Sequence, residues 1–90
     1  MEMKIAVYDT YVRKKDGTTM HFDVLVPNGT AHQNALDFAH KYLATVGQAG
    51  QPCGAEQCQF CHIEEAAADI QNVIRSRGYH IIAMEGCREA

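Results

Sequence analysis

The stretch KIAVYDTYVRKKDGTTMHFDVLV, residues 4–26, decides the fold because two strand-like segments flank a turn. Both segments are rich in β-branched and aromatic residues, which is typical of β-strands. The RKKDG segment between them ends in Asp-Gly, a strong turn signal. The sequence therefore predicts a β-hairpin with strands over residues 4–12 and 18–26.

The side-chain pattern also predicts the register of this hairpin. If Arg13 pairs with Thr18, one face becomes almost entirely apolar. That face carries Ile5, Val7, Met20, Phe22, Val24 and Val26, whereas the other carries Ala6, Tyr8, Thr10, His21, Asp23 and Leu25. A shift by one residue would set Asp9 opposite Asp23 and mix the two sets, so we expect the first register.

Two helices and a third strand complete the predicted architecture. The first helix covers residues 31–46, with Thr30 and Gln33 as a capping box, and the second covers residues 63–77 and ends at Gly78. YHIIAM, residues 79–84, is typical of a strand. The predicted fold is a single α+β domain over residues 1–90, in the order β-β-α-α-β. We expect a two-layer sandwich, in which the hairpin and the C-terminal strand form one sheet and both helices cover one face.

Composition and charge argue against several classes of function. Apolar residues make up 47% of the chain and charged residues 21%, and the net charge is −3. These values are ordinary for a globular protein and unlike the basic surfaces that bind nucleic acid. No apolar run reaches the roughly 20 residues that span a bilayer, and the N-terminus lacks a signal-peptide core. We expect a cytoplasmic protein that binds neither nucleic acid nor membranes, with cysteines that are reduced or metal-bound rather than in disulfides.

The strongest chemical signal is a C-x-x-C-H motif, CQFCH at residues 58–62. This motif also attaches haem, but we expect no haem because the chain lacks an export signal and its core is small. Two thiols at this spacing hold a tetrahedral ion, usually zinc, when two more ligands are present. The predicted second helix and third strand return the C-terminal MEGC segment to the same end. The sequence therefore predicts a zinc site made of Cys58, Cys61, His62 and Cys87.

Two alternatives remain open. A thiol-redox or thiol-nucleophile protein would use Cys58 and Cys61, because a helix N-terminus lowers the pKa of a thiol. A metal-free interaction domain would present the hairpin face that carries His21 and Asp23, which could equally be an ordinary solvated face. The open sheet edges offer a route to a homodimer. Asp9, on the predicted core side, has no role that the sequence identifies.

The combined motifs resemble a known family. VYDTYV, the Asp-Gly turn, MHFDVLV, CQFCH, Gly-Tyr before the last strand and MEGC are similar to the small bacterial proteins catalogued as domain of unknown function 2024. The resemblance covers nearly the whole chain and implies a small α+β domain without implying an activity. It includes matches to Cys58, Cys61, His62 and Cys87 but not to Cys53. Our interpretation is a structural or regulatory zinc-binding module rather than an enzyme.

Overall fold

Four strands and two helices form the part of the chain that the computed structural model describes, residues 3–87. In chain order these elements are β1 (Lys4–Arg13), β2 (Thr19–Pro27), α1 (His32–Thr45), β3 (Cys58–Glu65), α2 (Ala68–Arg77) and β4 (His80–Ala83). The strands form one antiparallel sheet in the order β3-β1-β2-β4. The predicted α+β class is confirmed. No helix in the described range is long and apolar enough to cross a membrane.

The turn of the hairpin sets a register that differs by one residue from the prediction. The Lys14 N–H donates to the Thr18 carbonyl at 2.7 Å, and the Gly17 N–H donates to the Lys14 carbonyl at 3.0 Å. Gly17 has φ 89°, in the left-handed region. This geometry is a three-residue loop with a type I turn followed by a left-handed glycine. It pairs Arg13 with Thr19 instead of Thr18.

The changed register gives both faces of the sheet an apolar set. One set packs against α1 and consists of Ala6, Tyr8, Val12, Met20, Phe22, Val24 and Val26, with Ala35, Ala39 and Leu43 of the helix and the buried Cys53, Cys58 and Cys87. The other set consists of Ile5, Val7 and Leu25, with Ala66 and, from α2, Ile74. Neighbouring residues of a strand point to opposite faces. The two helices therefore cover opposite faces, and the predicted two-layer sandwich with both helices on one face is wrong.

A strand occupies Cys58–Glu65, where the sequence predicts no strand and a helix that begins near residue 63. β3 pairs antiparallel with β1, from Cys58 opposite Thr10 to Glu65 opposite Lys4. The outer edge of β1 would otherwise leave backbone N–H and C=O groups without partners, and this ladder supplies them. As a result α2 begins at Ala68 rather than near residue 63, and the element order is β-β-α-β-α-β.

Both ends of α1 and the C-terminal end of α2 match the prediction in position, but the predicted capping contacts are only partly present. α1 spans His32–Thr45 and has no side-chain cap at its start. The predicted capping hydroxyl of Thr30 instead donates to the Pro27 carbonyl at 2.7 Å. α2 ends at Gly78, which has φ 92° and donates its N–H to the Ile74 carbonyl, as expected for a C-terminal glycine.

Candidate functional site

Three polar side chains converge on the face of the hairpin that also carries α2. They are Asp9 of β1 and His21 and Asp23 of β2, and they are called here the Asp-His-Asp cluster. They share a face because Asp9 pairs with Asp23, and His21 is two residues away on the same strand. His21 Nε2 lies 2.6 Å from Asp9 Oδ1 and 3.9 Å from Asp23 Oδ1. Among residues 3–87, no other group of three or more His, Cys, Asp or Glu side chains brings its ligand atoms within 4.8 Å of one another.

Backbone and side-chain contacts hold His21 in place. Its N–H donates to the Glu85 carbonyl at 2.8 Å, and its own carbonyl accepts from the Met84 N–H at 2.9 Å. The Cys87 thiol also donates to the His21 carbonyl, at 3.0 Å. The Tyr11 ring stacks on the imidazole with centroids 4.0 Å apart and planes at 8°. The backbone bonds hold this part of β2 against residues 84–87, and the Tyr11 stack and the contact with Asp9 orient the ring beside the two carboxylates.

The two carboxylates of the cluster have opposite pKa shifts. Burial, followed by the hydrogen bond and the repulsion from Asp9, raises the pKa of Asp23 to about 6. The hydrogen bond from His21 lowers the pKa of Asp9. Asp23 Oδ1 is buried and has no hydrogen-bond partner within residues 3–87. Asp23 is therefore an acidic group for which burial and Asp9 outweigh the attraction of His21 and His62.

This arrangement makes the stability of the metal-free protein depend on pH. The unfolded chain releases the Asp23 proton near 3.8, whereas the folded protein holds it until about 6. The stabilising contribution is complete below the lower value and is lost as the pH rises through the upper one. We expect the free energy of unfolding to fall by about 1–2 kcal/mol between about pH 4.5 and 7.5. Urea unfolding in the presence of a chelator measures this, and an equal fall in an Asp23→Asn variant would contradict the assignment.

The C-x-x-C-H motif lies along β3 and contains a bulge. Tyr8 pairs with Phe60 and Val7 pairs with His62, so the register shifts between these pairs. Cys61 is the extra residue between them and has no partner on β1. The motif therefore belongs to an edge strand, where its side chains alternate between the faces except at the bulge.

The structure does not bring the four predicted zinc ligands together. Cys58 is fully buried on the α1 side of the sheet, whereas Cys61 and His62 are exposed on β3. Cys87 follows β4, on the other side of β1 and β2, and its thiol donates to the carbonyl of His21. β3 and β4 are the two edges of the sheet. Zinc binding by these four residues stays a prediction of the sequence, and the geometry gives it no support.

The redox alternative required Cys58 and Cys61 to lie at a helix N-terminus, but both residues lie in β3 and α2 begins at Ala68. Burial raises the pKa of Cys58, the opposite of the shift that activates a thiol. Burial and the nearby Cys58 raise the pKa of Cys53 to about 11. All four cysteines are free, and Cys61 is the exposed one. Cycling between Cys58 and Cys61 has no support from this geometry.

Known proteins share the fold without supplying a function. A family model described as "Domain of unknown function (DUF2024)" matches residues 3–84. The chain is also similar to the NMR structure of protein NE1680 from Nitrosomonas europaea, a structural genomics target, with a TM-score of 0.84 and 43% sequence identity. That alignment covers 96% of this chain and 100% of the other. No curated protein matches the chain. Neither description states an activity.

Proposed function

Because the chain belongs to the family described as Domain of unknown function (DUF2024), we propose its function from geometry: it is a divalent-metal-binding module, and the metal site is the Asp-His-Asp cluster. The observation that carries the proposal is the unpartnered, buried Asp23 Oδ1 beside His21 and Asp9. A buried carboxylate without a partner is costly, and a cation at that position removes the cost.

The donor set suits a transition-metal ion. Asp9 and Asp23 offer carboxylate oxygens and His21 offers an imidazole nitrogen, which are the ligands that zinc accepts at about 2.0–2.2 Å. Calcium prefers six to eight oxygen ligands, so an imidazole counts against it. Three protein ligands leave at least one coordination position for water or a small molecule. We infer a site of the open kind rather than a closed structural one.

Charge supports the same conclusion. The two carboxylates repel each other in the metal-free protein, which contributes to the raised pKa of Asp23. A divalent cation between them would replace that repulsion with two attractions. Below about pH 6, binding would displace the proton on Asp23, and it would replace the hydrogen bond between His21 Nε2 and Asp9. Metal affinity should therefore increase as the pH rises through about 6.

Thermal unfolding with and without metal tests the proposal. We expect Zn²⁺ or Mn²⁺ to raise the melting temperature and a chelator to reverse the effect. A metal concentration of about 100 times the dissociation constant should add about 2.7 kcal/mol of stability. Calcium should have a smaller effect at the same concentration.

Two histidine variants serve as a matched pair for this test. His21→Gln removes the proposed nitrogen ligand, whereas His40→Gln changes an exposed histidine of α1. The metal-induced stabilisation should disappear in the first variant and persist in the second. Stabilisation that survives His21→Gln, or no stabilisation of the unaltered protein by any of the metals, would contradict the proposal.

A further inference from the structure

A second group of reactive side chains lies on β3, with its own hydrogen bonds, although His62 is close enough to the Asp-His-Asp cluster to act electrostatically on Asp9 and Asp23. The Cys61 Sγ lies 3.2 Å from His62 Nδ1. On the other side of the same ring, His62 Nε2 lies 2.7 Å from Glu64 Oε1. All three residues are exposed, with the His62 and Glu64 side chains 50% and 47% accessible. The thiol, the imidazole and the carboxylate thus form a continuous chain open to solvent.

The bulge explains why two neighbouring residues can make this contact. In a regular strand Cys61 and His62 would point to opposite faces of the sheet. The register shift between Val7 and Tyr8 leaves Cys61 unpaired and re-aims its side chain. Glu64 is two residues beyond His62 and so lies on the same face. The local irregularity is therefore what assembles the three groups.

The hydrogen bonds determine which nitrogen of His62 carries the proton. An ionised carboxylate only accepts hydrogen bonds, so the contact with Glu64 requires the proton on Nε2. The Nδ1 atom then has a free lone pair directed at the Cys61 thiol. Nucleophile, base and orienting carboxylate are thus in the order that activates a cysteine for covalent catalysis.

We propose that Cys61 is a nucleophile toward activated acyl groups, namely thioesters or reactive esters, with His62 as its general base. Nδ1 of His62 accepts the thiol proton while Cys61 Sγ bonds to the acyl carbon. The bond from that carbon to the leaving thiol or alcohol breaks, and His62 returns the proton to the leaving group. The product is an S-acyl cysteine that water can hydrolyse to the free acid and the thiol. Glu64 is a positioning residue, because it orients the ring without reaching the acyl carbon.

Burial of the other thiols favours acyl transfer over disulfide exchange. A disulfide cycle within the chain needs a second thiol that can reach the first. Cys58, Cys53 and Cys87 are 0%, 5% and 9% exposed. Within residues 3–87, no second accessible thiol is available to resolve a mixed disulfide on Cys61. An acyl intermediate needs only water for turnover.

Acylation by p-nitrophenyl acetate, in the presence of a chelator, tests the proposal independently of any metal. We expect release of p-nitrophenolate together with an acetyl group on Cys61, located by peptide mass spectrometry. Cys61→Ser should abolish the modification. His62→Gln should slow it at least about tenfold at about pH 7, in line with the usual contribution of a general base. Circular dichroism of each variant confirms that it is folded.

The pH dependence distinguishes activation from simple exposure. Above the ordinary thiol pKa of about 8.5, a cysteine ionises without help, so the rates of His62→Gln and the unaltered protein should converge. Glu64→Gln should show a smaller deficit with the same pH dependence. His40→Gln and Glu65→Gln are the matched controls and should react at the unaltered rate. Equal rates for His62→Gln and the unaltered protein at about pH 7, or an acetyl group mainly on another residue, would overturn the proposal.

Discussion

Replacing Asp23 by asparagine is expected to abolish metal binding and, at the same time, to stabilise the metal-free protein. The substitution keeps the shape of the side chain but removes a buried charge whose pKa the fold raises to about 6. The new amide can donate a hydrogen bond to Asp9, where the carboxylate had repelled it. We expect a gain of about 1–2 kcal/mol at about pH 8 and almost none at about pH 4, where Asp23 is already protonated.

Urea unfolding at both pH values, with and without Zn²⁺, measures both effects in one series. Asp37→Asn is the matched control, because Asp37 is an exposed aspartate of α1. It should leave the stability nearly unchanged and keep the response to metal. If Asp23→Asn weakened the metal-free protein at about pH 8, Asp23 would be a structural residue, and the opposite pKa shifts of the pair would need another cause.

Replacing Gly86 by alanine is expected to be among the most destabilising single changes in the chain. Gly86 has φ 75°, and an added Cβ would lie 2.4 Å from the carbonyl oxygen of Thr19. That oxygen belongs to the backbone of β2 and cannot rotate away. Either β2 or the segment at residues 84–87 must move, which weakens the hydrogen bond from His21 to Glu85. We expect a loss of about 2–4 kcal/mol.

Gly50→Ala separates the clash from the cost of the backbone conformation. Gly50 has φ 87°, close to that of Gly86, but an added Cβ meets nothing within 4 Å. It should cost only about 1 kcal/mol. Denaturant unfolding of both variants gives the difference directly. A Gly86→Ala variant no less stable than Gly50→Ala would show that the C-terminal segment does not pack tightly against β2.

The same contacts give the MEGC segment a role without a metal. Gly86 permits the close approach to β2, and Cys87 places its thiol against the His21 carbonyl. Glu85 and Met84 pair with the backbone of His21. The segment thus supports β2, the strand that carries two ligands of the proposed metal site, His21 and Asp23. These contacts give Cys87 a structural role that needs no metal.

Local patterns were sufficient to predict much of the fold. The alternation and the Asp-Gly turn located β1 and β2, and the apolar spacing located α1 to within a residue at each end. Gly78 marked the end of α2 correctly. These features depend on interactions between residues that are close in sequence, so they could be predicted from the chain alone.

The register was missed because it depends on the turn type rather than on the apolar pattern. Gly17 in the left-handed conformation selects a three-residue loop, and that choice shifts every pair by one. The prediction rejected this register because it sets Asp9 against Asp23. In the structure Asp9 and Asp23 do lie opposite each other. The pKa of Asp23 is raised, and His21 is hydrogen-bonded to Asp9. The pairing of two aspartates, which the prediction treated as unfavourable, was thus the feature of the sequence that pointed most directly to the Asp-His-Asp cluster.

The strand β3 was missed for a different reason. The apolar residues from Ile63 onward fit a helical spacing, and the segment was therefore joined to α2. Its strand conformation comes from pairing with β1, which lies about 50 residues earlier in the chain. Such a non-local contact leaves little trace in the local sequence. The bulge at Cys61, which creates the contact with His62, depends on the same pairing.

The most direct test of the metal proposal is an NMR titration of isotope-labelled protein with Zn²⁺, compared with the Asp23→Asn and Cys61→Ser variants. We predict saturation at one ion per chain, with the largest shifts at Asp9, His21 and Asp23. The response should be lost in Asp23→Asn and retained in Cys61→Ser. Shifts centred on Cys58, Cys61 and Cys87, with the Asp-His-Asp cluster unchanged, would contradict the account and restore the zinc site that the sequence predicted.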